Sequence, residues 1–402
     1  MSIRFFAIAS ALFAAPLSAQ STSSDDESNV IVVTAKSLDD QIKALEDCLA
    51  AGCPPAEDMR LSLEVAETQF LEGSYRDGNQ VLRGSIRRNR KHADELPIPV
   101  SGLYRASARF SEHLGEGKDY QLSTLDMRDI LREGLGKEHW RTLEADIVVG
   151  DSRAKLGKPD DAQRIYERVE NRAIELGINR IAMFARIRQA VLAEARFEAT
   201  KRDYWRERSI ERLQDIRDNP LKGGEEFSFL ASVLLARLDR ADGNASSTEE
   251  LVHKFAERGG ANRPILLYSD PLYSDEDRDR ELQRAGSAAA RLSTSARNKP
   301  TWIDVGFLIQ DSGRVGEIEI LRSEGDTAWT DQVIRHISSR VYAPLAKEDV
   351  GPGLYMIERY TVTSRFADQT TGTRMRTREP VQRIERLDIT PENYNQDLGA
   401  AT

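Results

Sequence analysis

Cys48 and Cys53 are the residues whose type and spacing most directly promise covalent chemistry. Gly52 and the pair Pro54-Pro55 end a helix between and after them, which lets Cys53 fold back on Cys48. In an oxidising compartment that arrangement closes a disulfide, and a pair of free thiols is the alternative. A structural zinc site fits poorly, because it takes four ligands and no histidine stands near in sequence. The five histidines, His92, His113, His139, His253 and His336, are scattered without a metal-spaced pair, and His336 falls on the surface of a short helix. Gly150-Asp151-Ser152 has the residue types of a serine nucleophile motif, but it lies inside a helical pattern without the sharp strand-to-helix turn the motif needs. Gly115-Glu116-Gly117-Lys118 and Gly157-Lys158 lack the earlier glycine of a phosphate loop. The acidic run Asp275 to Asp279 alternates with arginine, which disfavours calcium. No catalytic centre, metal, cofactor or small-molecule substrate is expected.

The elements around these residues point to export and to protein contacts. The chain has 402 residues, 40% of them hydrophobic and 31% charged, with a net charge of −9. That length allows two or three domains. The arginines interleave with Asp and Glu instead of forming a basic face, so no nucleic-acid partner is expected. Arg4, the apolar run Phe5 to Ala15 and the small residues ending at Ala19 form a signal peptide, with cleavage expected after Ala19. The run is shorter than the roughly 20 residues that a spanning helix requires. The expected location is the periplasm, with membrane association only if the signal stays uncleaved. Residues 20–37 are then a polar leader that carries the β-branched segment Val30-Ile31-Val32-Val33-Thr34-Ala35.

From 38 to 262 the apolar spacing is helical, as in Ala162, Ile165, Val169, Ala173 and Leu176. Leu71-Glu72-Gly73-Ser74-Tyr75-Arg76-Asp77-Gly78 resembles the turn between the paired helices of tetratricopeptide repeats. Leu156-Gly157-Lys158-Pro159-Asp160-Asp161-Ala162, followed by Tyr166, resembles it more closely. Asp242-Gly243-Asn244 is a weaker third instance. Gly73 and Gly157 stand further apart than two 34-residue units would place them, so the array is divergent. Residues 263–300 read as a linker, within which Arg263 to Tyr268 has an extended character.

After Trp302 the period changes to two, with Ile303, Val305, Phe307 and Ile309 alternating before the turn Asp311-Ser312-Gly313. Val315 to Leu321 gives a second strand. Trp329, Val333, Ile334 and Ile337 share a helix face, and Leu354 to Phe366 is a third strand. The fold expected is therefore mainly α with a small α+β domain: a helical-repeat body, then a β-β-α-β unit at 301–366, with 367–402 as a tail in which Val381 to Ile389 could add a strand.

The terminal unit resembles the C-terminal domain of TonB energy transducers. Ser312-Gly313-Arg314-Val315 matches the family's Gly-x-Val turn, Leu321-Arg322-Ser323 with Gly325 its second strand end, and Arg340-Val341-Tyr342-Ala343-Pro344 its basic run into aromatic-x-Pro. Val30 to Ala35 resembles the TonB box of TonB-dependent receptors. The resemblance implies that the last strand presents an open edge, at Tyr355, Ile357, Glu358, Arg359, Tyr360, Thr361 and Val362, to which a strand adds by β-augmentation. Unlike a true transducer, the chain has no spanning anchor and no Pro-rich spacer. The implied function is an exported, non-enzymatic adaptor in TonB-dependent envelope transport, with an envelope protein or peptide, such as a TonB-system component or receptor, as partner. The alternative is a general periplasmic scaffold in which the repeats recruit a partner and the terminal domain assembles or dimerises.

Overall fold

A computed structural model describes residues 37–272, 301–346, 353–370 and 376–391. The signal segment, the Val30–Ala35 segment and the Asp275–Asp279 run lie outside the described residues. Eleven helices in succession form the body: α1 (Leu38–Ala50), α2 (Pro55–Leu71), α3 (Tyr75–Asn89), α4 (Pro97–His113), α5 (Gly117–Leu135), α6 (Trp140–Lys155), α7 (Pro159–Glu175), α8 (Asn179–Thr200), α9 (Asp203–Asp218), α10 (Glu225–Ala241) and α11 (Ser246–Glu257). Each packs on its sequence neighbours, and α2, α6 and α10 also touch a helix two places away, as in a stack of helical hairpins. No helix among the described residues is long and apolar enough to cross a membrane.

One turn recurs through this stack. The residue that closes α2, α4, α6 and α10 is a glycine with positive φ: Gly73 (81°), Gly115 (69°), Gly157 (77°) and Gly243 (92°). In each case the next amide donates back five residues, as Ser74 to Gln69, Glu116 to Ser111, Lys158 to Arg153 and Asn244 to Asp239. This is the left-handed helix stop that glycine adopts without a Cβ penalty. α8 also ends on a left-handed residue, one place earlier in the turn: its C-cap Lys201, at φ 52°. The steps between these positions are 115 − 73 = 42, 157 − 115 = 42, 201 − 157 = 44 and 243 − 201 = 42 residues. The repeat is thus about eight residues longer than the tetratricopeptide unit, which accounts for the wide spacing of the two best-matched turns. Cys48 and Cys53 are joined in a disulfide between α1 and α2, with Cα atoms 4.7 Å apart.

The second unit is a four-stranded antiparallel sheet in the order β3-β2-β5-β6, formed by β2 (Thr301–Ile309), β3 (Val315–Glu324), β5 (Leu354–Thr370) and β6 (Arg376–Asp388). Helix α12 (Thr330–Ser338) covers one face. Ile303, Val305, Phe307 and Ile309 pack there with Val333, Ile337, Tyr360, Val362 and Ile384, so the period-two pattern of β2 does mark a core face. A two-stranded sheet joins β1 (Leu266–Tyr268) to β4 (Val341–Tyr342).

Two expected boundaries change. The start of the supposed linker is fastened to the sheet unit, because Ala343 donates to Ile265 O and Ala261 exchanges hydrogen bonds with Pro344 and Ala346. The unit also runs past 366, because much of the supposed tail is β6, paired with β5 from Glu358↔Asp388 to Thr370↔Arg376. That pairing overturns the open edge on β5. The strand lies between β2 and β6 and is paired on both sides over Glu358 to Val362, with β2 alone beside Leu354 to Ile357 and β6 alone beside Thr363 to Phe366. Even Ile357, just before β6 begins to pair, donates to Thr390 Oγ1 and accepts from Ile389 N.

Candidate functional site

The seven β5 residues expected to form a docking edge are instead divided between the sheet core and a seam with the helical body. Alternation decides which. Glu358, Tyr360 and Val362 face α12, while Arg359 and Thr361 face the body. Tyr355, near the strand's start, donates to Glu319 Oε1 across the sheet.

On the core side, Glu358 is held by Arg340 through both carboxylate oxygens, at 3.0 and 2.8 Å. The Tyr360 hydroxyl donates to Glu358 Oε2 at 2.6 Å, and Tyr342 accepts from Arg340 at 3.0 Å. Burial works to raise the Glu358 carboxyl, but the Arg340 and Arg386 guanidiniums outweigh it and hold it down to about 2. Breaking this pair would strand a buried charge, so it is a structural clamp.

On the body side, the seam follows the row of repeat turns. Phe70 and Leu71 stand just before Gly73, Glu112 and His113 just before Gly115, and Lys155 just before Gly157, so the C-terminal ends of α2, α4 and α6 present equivalent positions. A helix C-terminus carries unsatisfied carbonyls and partial negative charge. The sheet meets these ends with arginines. Arg359 donates to Phe70 O at 2.5 Å and Leu71 O at 2.6 Å, and Arg383 donates to Glu112 O at 3.1 Å. Arg359 is fully buried, paired with Asp304 at 2.6 Å and stacked under the Trp302 ring at 4.0 Å. Trp302 itself joins the apolar cluster of α2, α3 and α4 and lies so close to Gly73 that a Cβ there would fall 2.4 Å from its Nε1.

Beside this pair, Thr361 Oγ1 lies 3.1 Å from the Tyr75 hydroxyl and 3.1 Å from His113 Nδ1. Burial drives His113 down to about 3 against the pull of Glu112, with Arg109, Arg383 and Lys155 adding to the drop, so the ring is neutral in the seam. Burial also acts to raise Glu112, but Lys155 and Arg383 prevail and bring it to about 2, while Glu385 on β6 is raised by burial. Tyr75, His113 and Thr361 are all closed off from solvent. A hydroxyl beside an imidazole can support nucleophilic chemistry, but a substrate could not reach this one. What the arrangement can do is hold two units together through oriented charges.

Sequence reasoning did not single out Asp304, Trp302, Tyr75 or His113 as a group. One signal was available: Asp304 sits in the middle of an apolar strand, where an ionised side chain needs a partner. His336 Nδ1 donates to Asp270 O, 2.6 Å away, on the far side of the sheet unit. Asp151 of the Gly-Asp-Ser motif takes the Tyr166 hydroxyl and pairs with Arg188 inside the repeat stack. Among the described residues no group of three or more His, Cys, Asp or Glu is placed to hold a metal.

No family model matches the chain, and comparison with curated proteins finds no match. Among solved structures, BtubC (BKLC) from P. vanneervenii aligns at 16% identity over 55% of this chain and 88% of that one, with a TM-score of 0.38. The Rap conjugation gene regulator of the plasmid pLS20, in complex with the Phr* peptide, aligns at 11% identity over 67% and 75% of the two chains, with a TM-score of 0.31. Both superpositions are loose.

Proposed function

We propose that this chain is an exported, non-enzymatic adaptor of the cell envelope that binds a protein strand at the open edge of its sheet, in the service of TonB-dependent transport. The observation that carries the binding mode is β3. It is an outermost strand, every residue from Glu319 to Glu324 is exposed, and Ile320 and Leu321 stand 45% and 40% exposed side by side. Exposed large apolar residues on an unpaired strand edge are what a strand-adding partner uses.

The register also limits the partner. It shifts twice along β3, and Glu317 at one shift has φ 50°. Such bulges bend an edge and shorten the stretch open to pairing. A short added strand, at about 0.5–1.5 kcal/mol net per hydrogen bond, binds weakly and reversibly. Glu317 and Glu319 on the edge favour a partner with basic residues beside its apolar ones. The TonB link is supported by the motifs named above and by the element order β2, β3, α12, β5, which is the order the resemblance implies. The export reading is supported by the leader sequence.

The general-scaffold alternative draws on a different surface: Leu122 on α5, Trp140 at the start of α6 and Ile174 on α7 are also exposed. A photo-crosslinking residue at Leu321, compared with one at Leu122, in the full chain within its own envelope separates the two. Adducts at Leu321 that Ile320→Lys abolishes support strand addition. Adducts confined to Leu122 support the scaffold and sink the edge.

A further inference from the structure

The repeat builds a second surface at the end of the stack away from the sheet. Helices α3, α5 and α7 begin at Tyr75, Gly117 and Pro159, in step with the turn glycines. Residues 42 apart in this region therefore hold equivalent places in successive hairpins. Ile98, the second residue of α4, and Trp140, the first of α6, are such a pair (140 − 98 = 42), and each is 44% exposed. Arg90 just after α3, Arg132 in the last turn of α5 and Ile174 in the last turn of α7 form a second row (132 − 90 = 42, 174 − 132 = 42), and all three are exposed.

Contacts between the helix ends hold the two rows together. Gly134 of α5 lies so close to the start of α4 that a Cβ on it would fall 2.5 Å from Pro97 Cβ. Arg172 of α7 pairs with Glu138, in the connection between α5 and α6. The balance of charge also reverses here. The whole chain has 57 Lys and Arg against 66 Asp and Glu, whereas residues 86–98, 131–141 and 172–180 together hold nine against five. Of those acids, Glu138 and Glu175 are taken by Arg172, and Glu95 lies 4.0 Å from His92. Arg90, Lys91, Arg132 and Lys137 form no ion pair among the described residues. The Arg141 guanidinium stands 4.5 Å over the Trp140 ring.

Exposed apolar side chains that include a tryptophan, bordered by unpaired cations, match an anionic bilayer surface. The apolar tips enter the headgroup boundary while the cations meet phosphates. Residues that crown helix ends along a line suit a flat surface better than they suit a peptide, which takes a groove. We propose that this end of the stack, with Ile98, Trp140 and Ile174 amid Arg90, Lys91 and Arg132, rests on an anionic phospholipid surface. The sheet, docked at the opposite helix ends, is then held away from the bilayer by about 25 Å, the length of a 17-residue helix such as α4. This surface is separate from the β3 edge and does not depend on strand binding there.

The test is flotation of the full chain with vesicles of pure phosphatidylcholine and of phosphatidylcholine mixed with phosphatidylglycerol. The expected result is partition into the anionic vesicles alone, reduced by salt and weakened by roughly tenfold or more in Trp140→Glu and in Arg90→Glu combined with Arg132→Glu. The apolar run Phe5 to Ala15 could hold vesicles by itself, but these variants leave it untouched, so binding that survives them overturns the proposal. No binding to either vesicle also overturns it and leaves Trp140 and Ile174 to a protein partner. If circular dichroism shows that a charge variant does not fold, phosphatidylglycerol with brominated acyl chains decides. It should quench part of the wild-type tryptophan emission, and Trp140→Phe should remove that quenching; quenching unchanged in Trp140→Phe, or absent in wild type, overturns the proposal.

Discussion

At the residue scale, two titrating groups give opposite pH behaviour. His113 is held neutral in the seam at about 3, below its ordinary 6.5. The unfolded chain therefore binds the extra proton between these values, and His113's contribution to stability is present above 6.5 and lost as pH falls toward 3. Glu112 titrates only below its ordinary 4.5, but above that His336, also lowered by burial to about 3, adds to the same slope, and Glu194, raised to about 7, opposes it. Between pH 6.5 and 5, His113 should contribute a loss of up to about 1.4 kcal/mol per pH unit, so the pH dependence of Tm in His113→Asn should be less steep than that of wild type by up to this amount. An unchanged slope would remove His113 from the account. Glu194 runs the other way. Burial lifts it to about 7 despite Arg206, so the folded state loses stability as pH rises from 4.5 through 7. Glu194→Gln should raise Tm relative to wild type at pH 8 and do little at pH 5, as read by calorimetry. Neither group was legible in the sequence. A histidine ending one helix and a glutamate within another carry no mark of burial until tertiary contacts bury them.

The element scale turns on the helix stop. Gly73 and Gly157 share a left-handed φ, but a Cβ at Gly157 would meet open space and one at Gly73 would meet the Trp302 ring. Gly157→Ala should therefore cost only the conformational term, about 1 kcal/mol. Gly73→Ala should cost roughly 2–4 kcal/mol, because the close contact with Trp302 must also open, and it should shift the tryptophan emission. Equal losses in denaturant melts would contradict the docking of Trp302 on this turn. The disulfide acts on α1 alone. Its short loop predicts about 2 kcal/mol from Cys48→Ser, seen as faster amide exchange in α1 and unchanged exchange beyond α2. These turns were the most legible part of the fold, because a glycine between two apolar periodic runs has one use. Gly115 fits the same pattern, at a 42-residue step that a 34-residue unit does not imply.

Over the whole molecule, the helical body and the α12 face of the sheet could be read from periodicity, and the arrangement of the two units could not. The pattern of β2 shows one apolar face. The other face, with Trp302, Asp304, Arg359 and Thr361, reads as polar and solvent-facing, yet it is buried because the helix ends supply partners for it. The strand expected at Val381 to Ile389 falls on β6 (Arg376–Asp388), but nothing in this charged segment shows that it starts earlier or pairs with β5. With β6 in place, β5 becomes internal, and the outer strands of the sheet are β3 and β6.

The most direct test of this arrangement is hydrogen exchange along the full chain, in wild type and in Arg359→Ala. That variant removes the guanidinium that caps α2 and pairs with Asp304; because Arg322 stays paired with Asp304 at 2.7 Å, the loss should fall below the roughly 3–5 kcal/mol of a fully stranded buried charge. The account predicts slow exchange over 358–363 in wild type, and in the variant a joint rise there and in 68–75 and 110–115, because the sheet and the helix ends open together. Fast exchange over 358–363 in wild type, or a rise confined to the sheet, would show that β5 is a free edge or that the two units do not meet along the turns.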